Sequence, residues 1–328
     1  MMGVLGAAIL AALITIYFTP TVRAWAFKKG VVDMPSARRI NTEPMPRAGG
    51  VAIFAGFLVA AMVAVLARQL RVPHEPIWTP QVTGFLLATT LMAVFGLVDD
   101  LKNLSPKFQI LAMLASALLL FAFGIRIEGI AHPFTGKWLP LPIGVSIGAT
   151  VLWIIIVTKT VDAIDGLDGL ASGVSALCAM TLALMATQLK SVEGATIALL
   201  AAALAGACVG FLRHNYHPAK IIMGTVGAWV LGFGLAALSI MGAFKLAATV
   251  SVAVPVLVLG VPIFDFTHVL ARRALARAPL TQADKRHLHH RLLAKGLNQR
   301  QVALTIYGIT FLFCVTALIL FQAGRAGR

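Results

Sequence analysis

Long apolar stretches alternate with short polar and basic segments along this chain of 328 residues. Each stretch is about 20 residues long, the length at which an α-helix crosses the hydrocarbon core of a bilayer. The pattern predicts an all-α polytopic membrane protein with about ten transmembrane helices, formed by a single domain over residues 1–328. The predicted spans cover residues 3–22, 49–67, 82–98, 108–124, 144–161, 170–188, 195–212, 225–243, 248–269 and 301–321.

The composition excludes an ordinary soluble protein, because 59% of the residues are hydrophobic and only 12% are charged. The opening run Gly3–Tyr17 has no basic segment before it and no small-residue cleavage site behind it, so we interpret it as the first span rather than as a signal peptide. The three cysteines, Cys178, Cys208 and Cys314, fall inside apolar runs without metal-ligand spacing and are predicted to be core residues.

The net charge of +15 would suggest nucleic acid as the partner of a soluble protein. In a membrane protein, orientation explains such an excess first, because cytoplasmic loops are rich in lysine and arginine. With the ten predicted spans, nineteen of these residues fall on one side and eight on the other. We therefore expect the richer side to be cytoplasmic, both termini to lie outside, and no nucleic-acid partner.

The segment Val157–Ala171 places three carboxylates, Asp162, Asp165 and Asp168, at the end of a predicted span. A charge at membrane depth costs roughly 2.5 kcal/mol or more unless it is paired, hydrated or metal-bound, so three together indicate a site. Their mutual repulsion would raise their pKa values unless a cation neutralises them. Lys159 could supply that charge, as could a hard divalent cation such as Mg2+. A plain polar loop at the membrane edge is the alternative.

A second acidic pair, Asp99 and Asp100, follows the third predicted span on the same side. Adjacent carboxylates are unfavourable unless they share a cation or a proton, so metal binding is the sharper interpretation. Lys107 lies close enough in sequence to meet a phosphate. From this segment alone, it is equally compatible with the sequence that Asp99 and Asp100 only mark the boundary between membrane and water.

The last predicted cytoplasmic loop ends in a segment rich in histidine and basic residues, Asp284–Leu292. Imidazole and guanidinium groups donate to phosphate oxygens, so His287, His289, His290 and Arg291 are predicted to bind a diphosphate. A zinc site and a solvated basic face are the alternatives, although no cysteine accompanies the histidines. Together the three clusters predict a metal-dependent, phosphate-handling site at the cytoplasmic face of the membrane.

Five short motifs follow one another in an order that is far more specific than any one of them. They are Pro46-Arg-Ala-Gly-Gly50, Leu97-Val-Asp-Asp-Leu101, Asp165-Gly-Leu-Asp-Gly-Leu-Ala171, Lys220-Ile-Ile-Met-Gly224 followed by Leu231-Gly-Phe233, and His287-Leu-His-His-Arg-Leu292. In this order the chain resembles the polyprenyl-phosphate N-acetylhexosamine-1-phosphate transferases, from about residue 20 to about residue 305. The histidine motif is similar to that of the WecA/TagO-like branch, which uses UDP-N-acetylglucosamine.

The resemblance implies transfer of N-acetylglucosamine-1-phosphate from UDP-N-acetylglucosamine to undecaprenyl phosphate, with release of UMP. This is the first membrane step in the synthesis of a cell-envelope polysaccharide. The resemblance also implies Mg2+ as the cofactor, with Mn2+ as a substitute, and a UDP-sugar and a polyprenyl phosphate lipid as substrates. The expected location is the bacterial inner membrane with the site facing the cytoplasm, and a homodimer is left open.

Carried over to this sequence, the resemblance assigns roles to the matched positions. Asp99 and Asp100 match the pair near the metal and the lipid phosphate, and Gly166 to Asp168 match the uridine pocket. The predicted catalytic carboxylates are Asp99, Asp100, Asp162 and Asp165. The first three of them are also the predicted metal ligands. The predicted substrate-binding residues are Lys107, Lys159, Gly166, Leu167, Asp168, His287, His289, His290 and Arg291.

Several positions depart from the family pattern, among them Ile222, where an aromatic residue is common, and three that change the charge of the site. Lys159 and Asp162 stand where the family has asparagines, and Thr225 stands where it has an aspartate expected to bind magnesium. One carboxylate is lost and another is gained. We therefore hypothesise that Asp162 supplies the missing ligand together with Asp99 and Asp100, since Mg2+ accepts oxygen ligands from any loops that converge on it.

Two other classes of function stay open on the sequence alone. A non-catalytic relative would bind a nucleotide sugar or polyprenyl phosphate without turnover, and the exchanges at Lys159 and Thr225 motivate that alternative. An ion-coupled transporter should carry carboxylates near the middle of a span, which none of the predicted spans does. A transferase for another UDP-sugar is a variant of the main interpretation.

The charge distribution generates a topological prediction. Single-cysteine variants Glu75→Cys and Thr135→Cys should react with a membrane-impermeant maleimide added to intact cells, because both positions lie in loops predicted to be outside. Ile40→Cys and Arg286→Cys should react only after the membrane is opened. Labelling of Arg286→Cys in intact cells would contradict a cytoplasmic site.

Overall fold

The structure is a computed structural model that describes residues 1–34, 44–131, 138–243, 256–275 and 287–326. The described helices are α1 Met2–Lys28, α2 Gly50–Arg71, α3 Pro80–Lys102, α4 Pro106–Ala122, α5 Ile143–Ile164, α6 Leu170–Thr187, α7 Val192–Asn215, α8 Gly224–Ala243, α9 Gly260–Leu275, α10 Leu288–Ala294 and α11 Gln299–Ala326. Two small antiparallel hairpins pair β1 Val32–Asp33 with β2 Met45–Pro46, and β3 Gly129–Ala131 with β4 Trp138–Pro140.

Eight of the described helices are long and apolar enough to cross a membrane: α1, α2, α3, α5, α6, α7, α8 and α11. The prediction of an all-α polytopic membrane protein is therefore confirmed. The fourth predicted span is the shorter apolar helix α4, whose 17 residues lie at the lower limit for a span. The ninth predicted span, 248–269, falls partly outside the described residues, and Gly260 onwards belongs to α9.

Helix α1 continues to Lys28, beyond the predicted end at residue 22, although Pro20 lies within it. Proline has no N–H, so the carbonyl four residues earlier, that of Ile16, loses its helical donor. The ring nitrogen Nε2 of His214, on α7, lies 3.0 Å from this carbonyl oxygen. A neighbouring side chain thus satisfies the backbone group that the proline leaves open, which is how membrane helices tolerate proline.

Three helices, α6, α7 and α8, form the buried centre of the bundle, whereas fewer than a third of the residues in the apolar stretches of α1 and α11 are buried. Small residues allow the close crossings. On α7, a Cβ at Gly206 or Gly210 would collide with the backbone of Ala8 or Ala12 on α1. Small-residue faces of this kind let membrane helices pack through backbone contact, because lipid offers no hydrophobic driving force between them.

Helix ends carrying the sequence motifs meet at one end of the bundle, which we call the site end. Here the N–H of Gly50, at the start of α2, donates to the carbonyl of Met223 just before α8, at 2.8 Å. Arg23 of α1 donates from Nε to the carbonyl of Lys220 at 2.9 Å. Helices α3, α5 and α7 end here, and α4 and α6 begin here.

The contact between α2 and α8 generates a prediction about stability. A Cβ at Gly50 would collide with the backbone of Gly227, so Gly50→Ala should force the helices apart and cost about 1–3 kcal/mol. Thermal unfolding of the purified protein in detergent should show a lower midpoint. Gly144→Ala is the matched control, because nothing lies within 4 Å of a Cβ there. Equal midpoints for the two variants would refute the tight packing at Gly50.

Candidate active site

Asp100, at the end of α3, is held from two sides. Arg47 donates from Nε to its Oδ1 at 3.0 Å, and Arg47 Nη2 lies 2.9 Å from the same oxygen. The backbone N–H groups of Thr225 and Val226 donate to Oδ1 and Oδ2 at 2.9 and 3.0 Å. They belong to the first turn of α8, where unpaired N–H groups and the helix dipole favour an anion. A Cβ on Gly224 would lie 2.7 Å from Oδ2, so glycine permits this approach.

A continuous chain of hydrogen bonds links α3, α4 and α5. Asp99 accepts at Oδ1 from the backbone N–H of Leu104 and from Gln109 Nε2, both at 3.0 Å. Lys159 Nζ donates to Gln109 Oε1 at 2.8 Å and to Asp162 Oδ2 at 3.1 Å. The side-chain amide of Gln109 donates through Nε2 and accepts through Oε1, and it thereby connects the acidic pair on α3 with the central acidic segment on α5.

Asp165 follows α5 directly and lies among the other carboxylates. Burial of its carboxyl group raises the pKa of Asp165 well above the usual range, and the charges of Asp162 and Asp100 add to this effect. Arg47 opposes the shift, and Asp168 adds a further small increase. These mutual effects show that the helix ends bring the predicted carboxylates into one neighbourhood.

Asp168 lies in the loop between α5 and α6 and faces the loop that follows α7. Its Oδ2 is 2.8 Å from His217 Nδ1 and accepts the backbone N–H of Ala219 at 3.0 Å. Beside it, Asn215 Oδ1 accepts the backbone N–H of Gly169 at 3.1 Å. These bonds fix the two loops against each other, so Asp168 shapes the loop that is predicted to bind uridine.

The histidine segment is anchored to α9 through Asp265. One carboxylate oxygen, Oδ2, lies 2.9 Å from His287 Nδ1, and Oδ1 accepts the backbone N–H of Leu288 at 2.7 Å. The carboxylate therefore caps the start of the short helix α10, where the backbone N–H groups have no helical partner. Through this cap, α9 sets the position of the two histidines that follow.

His289 is buried and turns toward the acidic loop. A Cβ on Gly166 would lie 2.8 Å from His289 Nε2, so the imidazole packs against the backbone of that loop. Its Nδ1 has no hydrogen-bond partner among the described residues. Burial lowers the pKa of His289 to about 3, with further lowering from His290 and His287 and an opposing effect of Asp265. The predicted sugar-diphosphate segment thus touches the predicted uridine segment.

The remaining predicted site residues differ in exposure. Lys107 and Arg291 are exposed, at the first turn of α4 and on α10. The ring of His290 is half-buried, with its centroid 4.3 Å from that of His289. Leu167 is buried in the hydrophobic core, so its side chain contributes packing.

The predicted magnesium ligands Asp99, Asp100 and Asp162 all lie at the site end, and protein groups donate to at least one oxygen of each. Asp100 uses both oxygens for Arg47 and the α8 amides, and Asp162 pairs with Lys159. Within the described parts of the chain, no three carboxylate, histidine or cysteine side chains are arranged to hold a metal ion. The donor set does not form a preassembled magnesium site, and magnesium binding stays a prediction.

Comparison with known proteins places this arrangement in a family. A family model described as glycosyl transferase family 4 matches residues 82–243. A probable undecaprenyl-phosphate N-acetylglucosaminyl 1-phosphate transferase of Bacillus subtilis is 35% identical over 98% of this chain and 86% of the relative. The chain belongs to glycosyl transferase family 4.

Other family 4 relatives differ in the substrates that their names state. A decaprenyl-phosphate N-acetylglucosaminephosphotransferase of Mycobacterium tuberculosis (strain H37Rv) is 32% identical over 90% of this chain and 77% of the relative. A phospho-N-acetylmuramoyl-pentapeptide-transferase of a Synechococcus strain is 30% identical over 95% of this chain and 88% of the relative. The family resemblance inferred from the motifs is confirmed.

Several residues that organise this family 4 site carry little sequence signal. Gln109 is a polar side chain within the apolar helix α4, which is a usable signal for a buried contact. His217 and Asn215 lie in or beside a polar loop, where such residues are common and suggest nothing. Arg47 stands within the first motif, but its pairing with Asp100 depends on the fold.

The buried imidazole in this family 4 site generates a prediction about pH. In the unfolded chain His289 takes up a proton as the pH falls below its ordinary pKa of about 6.5. In the folded protein it stays neutral until about pH 3, because burial lowers its pKa. Stability is therefore full above pH 6.5 and falls with acidification, by about 2 kcal/mol at pH 5. Thermal unfolding at about pH 7.5 and pH 5 should show a larger loss for the wild type than for His289→Gln. Equal acid sensitivity of the two proteins would count against a buried neutral imidazole.

Proposed function

We propose that this chain transfers N-acetylglucosamine-1-phosphate from UDP-N-acetylglucosamine to undecaprenyl phosphate and releases UMP. The observation that carries the proposal is the convergence of four carboxylates with Arg47, Lys159 and the histidine segment at one end of a membrane helix bundle. The names of the B. subtilis and M. tuberculosis relatives support the sugar and a polyprenyl phosphate acceptor. The undecaprenyl carrier and the preference among UDP-sugars belong to the proposal.

In this reaction an oxygen of the lipid phosphate attacks the β-phosphorus of the UDP-sugar. A new phosphorus–oxygen bond forms while the bond from the β-phosphorus to the bridging oxygen breaks, and its electron pair leaves with UMP. Phosphoryl transfer of this kind depends on in-line positioning and on neutralising the phosphate charge. Fixed charges in a site that excludes water perform both tasks, because they need no reorganisation during the reaction.

Side chains rather than helix amides are the phosphate-binding groups in this proposal. The first N–H groups of α8 would suit a phosphate, but Thr225 and Val226 donate theirs to Asp100. Lys107 and Arg291, which are exposed, would attract the substrates' phosphates to the rim of the site. His289 is neutral near pH 7 because of its lowered pKa, so it would orient a phosphate by hydrogen bonding rather than by charge.

The lipid acceptor needs an apolar approach to the carboxylates. Leu101, Phe108 and Leu111, around the turn from α3 to α4, are exposed apolar side chains. Gln109 in the same turn is bonded to Asp99. A polyprenyl chain lying on this surface would bring its phosphate to Asp99 from the bilayer side, which agrees with the predicted role of the acidic pair.

The site end faces the cytoplasm of the bacterial inner membrane in this proposal, and the product begins a cell-envelope polysaccharide. The excess of lysine and arginine predicted for that side supports this orientation. The requirement for Mg2+, which Mn2+ could replace, stays a prediction. The homodimer stays a prediction as well.

UMP release from UDP-N-acetylglucosamine, measured with the purified full-length protein, undecaprenyl phosphate and Mg2+, tests the function. UMP should form only when both substrates are present, in a one-to-one ratio with a lipid-linked product. UDP-glucose and UDP-N-acetylgalactosamine should react at least ~10-fold more slowly, a difference of about 1.4 kcal/mol. Replacing Mg2+ with Mn2+ or with a chelator in the same assay measures the metal requirement.

Two outcomes would change the assignment. Binding of UDP-N-acetylglucosamine without UMP release, even with both substrates and metal present, would support a non-catalytic relative. UMP release without the lipid would indicate a hydrolase. Asp99→Asn serves as the variant with a damaged site, since it removes the carboxylate that the lipid phosphate is proposed to meet.

A further inference from the structure

Lys159 lies near the end of an apolar membrane helix, and its side chain is only 20% exposed. A cation in such a place costs free energy unless it is paired. Its Nζ donates to Gln109 at 2.8 Å and to Asp162 at 3.1 Å, and it lies 5.4 Å from the centroid of the Trp229 ring. Three elements, α4, α5 and α8, therefore hold this one ammonium group in place.

The position of this ammonium is central to the site. Trp229 and Thr225 are four residues apart on α8 and so share one face of the helix. The N–H of Thr225 donates to Asp100, while the ring of Trp229 contacts Lys159. The first two turns of α8 therefore contact both Asp100 and the ammonium group of Lys159.

The hydrogen bonds of Lys159 leave capacity for a substrate. An ammonium group has three N–H donors, and the two described bonds use two of them. Asp162, its acidic partner, is 29% exposed at the side chain, so this ion pair borders the solvent-accessible part of the site. A phosphate that enters from there meets a positive charge that is already oriented.

We propose that Lys159 is a fixed cation of the site, which binds the diphosphate of the nucleotide sugar and supplies part of the positive charge otherwise expected from a divalent metal. This inference rests on the proposed function and concerns how the same site holds its donor substrate. Two observations support it together. Protein donors bind both oxygens of Asp100 and one oxygen each of Asp99 and Asp162, and no metal-binding group of carboxylate, histidine or cysteine side chains is found in the described parts of the chain. The ammonium group of Lys159 beside them is held from three sides. Asp162 and Gln109 are then positioning residues for Lys159.

The inference has a direct consequence for substrate binding. Since the cation is part of the chain, UDP-N-acetylglucosamine should bind even when divalent metals have been removed. A purely structural ion pair between Lys159 and Asp162 would stabilise the fold but would not provide this metal-independent binding. The two roles are therefore separated by comparing binding in chelator with binding in Mg2+.

Calorimetric titration of UDP-N-acetylglucosamine into the purified full-length protein tests the inference, in EDTA and in Mg2+. The wild-type Kd should differ by less than about threefold between the two buffers. In EDTA, Lys159→Gln should weaken binding at least ~10-fold, about 1.4 kcal/mol, whereas Lys159→Arg should keep most of the affinity because the charge remains. Lys190→Gln is the matched control, since this exposed lysine lies in the α6–α7 loop at the opposite end of the bundle.

The wild-type comparison decides the matter even if Lys159→Gln fails to fold. Binding in Mg2+ but not in EDTA would overturn this inference and leave the proposed transferase function standing. Unchanged affinity of a folded Lys159→Gln variant in EDTA would overturn it as well. No binding in either buffer would remove UDP-N-acetylglucosamine as the substrate, and the inference would fail together with the proposed function.

Discussion

The ion pair between Arg47 and Asp100 is the constraint on which the site end depends. A buried carboxylate is expensive in a membrane protein, and Asp100 is tolerable because Arg47 and the first amides of α8 surround it. The same contacts join the segment before α2, the end of α3 and the start of α8. Removing the arginine would leave a charge without its counter-ion, so the pair holds three elements in register.

Around this anchor, polar contacts are arranged as separate bridges between helix ends. Gln109 and Lys159 join α3 to α5 through α4, Asp168 ties the α5–α6 loop to the loop after α7, and Asp265 caps α10. Some bridges join helices that follow one another in the chain, as Gln109 joins α4 to α3, and others join more distant segments, as Asp168 does with Ala219. The apolar surfaces of the helices determine which helices pack, and these bridges determine how their ends are placed.

Much of this architecture is predictable from the chain itself, because bilayer thickness imposes a minimum length on apolar helices and because charges at membrane depth need a reason. Those two facts locate the spans and single out Asp99, Asp100, Asp162 and Asp165. The hydrogen-bond partners of each carboxylate cannot be predicted from these two facts. Asp162 pairs with Lys159 at the i,i+3 spacing of a helix, but Asp168 pairs with His217 through loop geometry that has no periodic pattern in the sequence. The tertiary fold also allows Pro20 to lie within α1, because His214 of α7 hydrogen-bonds to the Ile16 carbonyl that the proline leaves without a helical donor.

The crossing of α1 with α7 bears on how the chain is assembled. The alanine face of α1 is synthesised well before the glycines it packs against, Gly206 and Gly210, which belong to α7. Until then Ala8 and Ala12 lack the glycines of α7 and the Ile16 carbonyl has no His214, although Thr15 can already donate to the Ala52 carbonyl of α2. The packing of α1 is thus completed only once α7 is present. A chain arrested before α7 would therefore hold α1 against α2 but without the backbone contact that Gly206 and Gly210 provide.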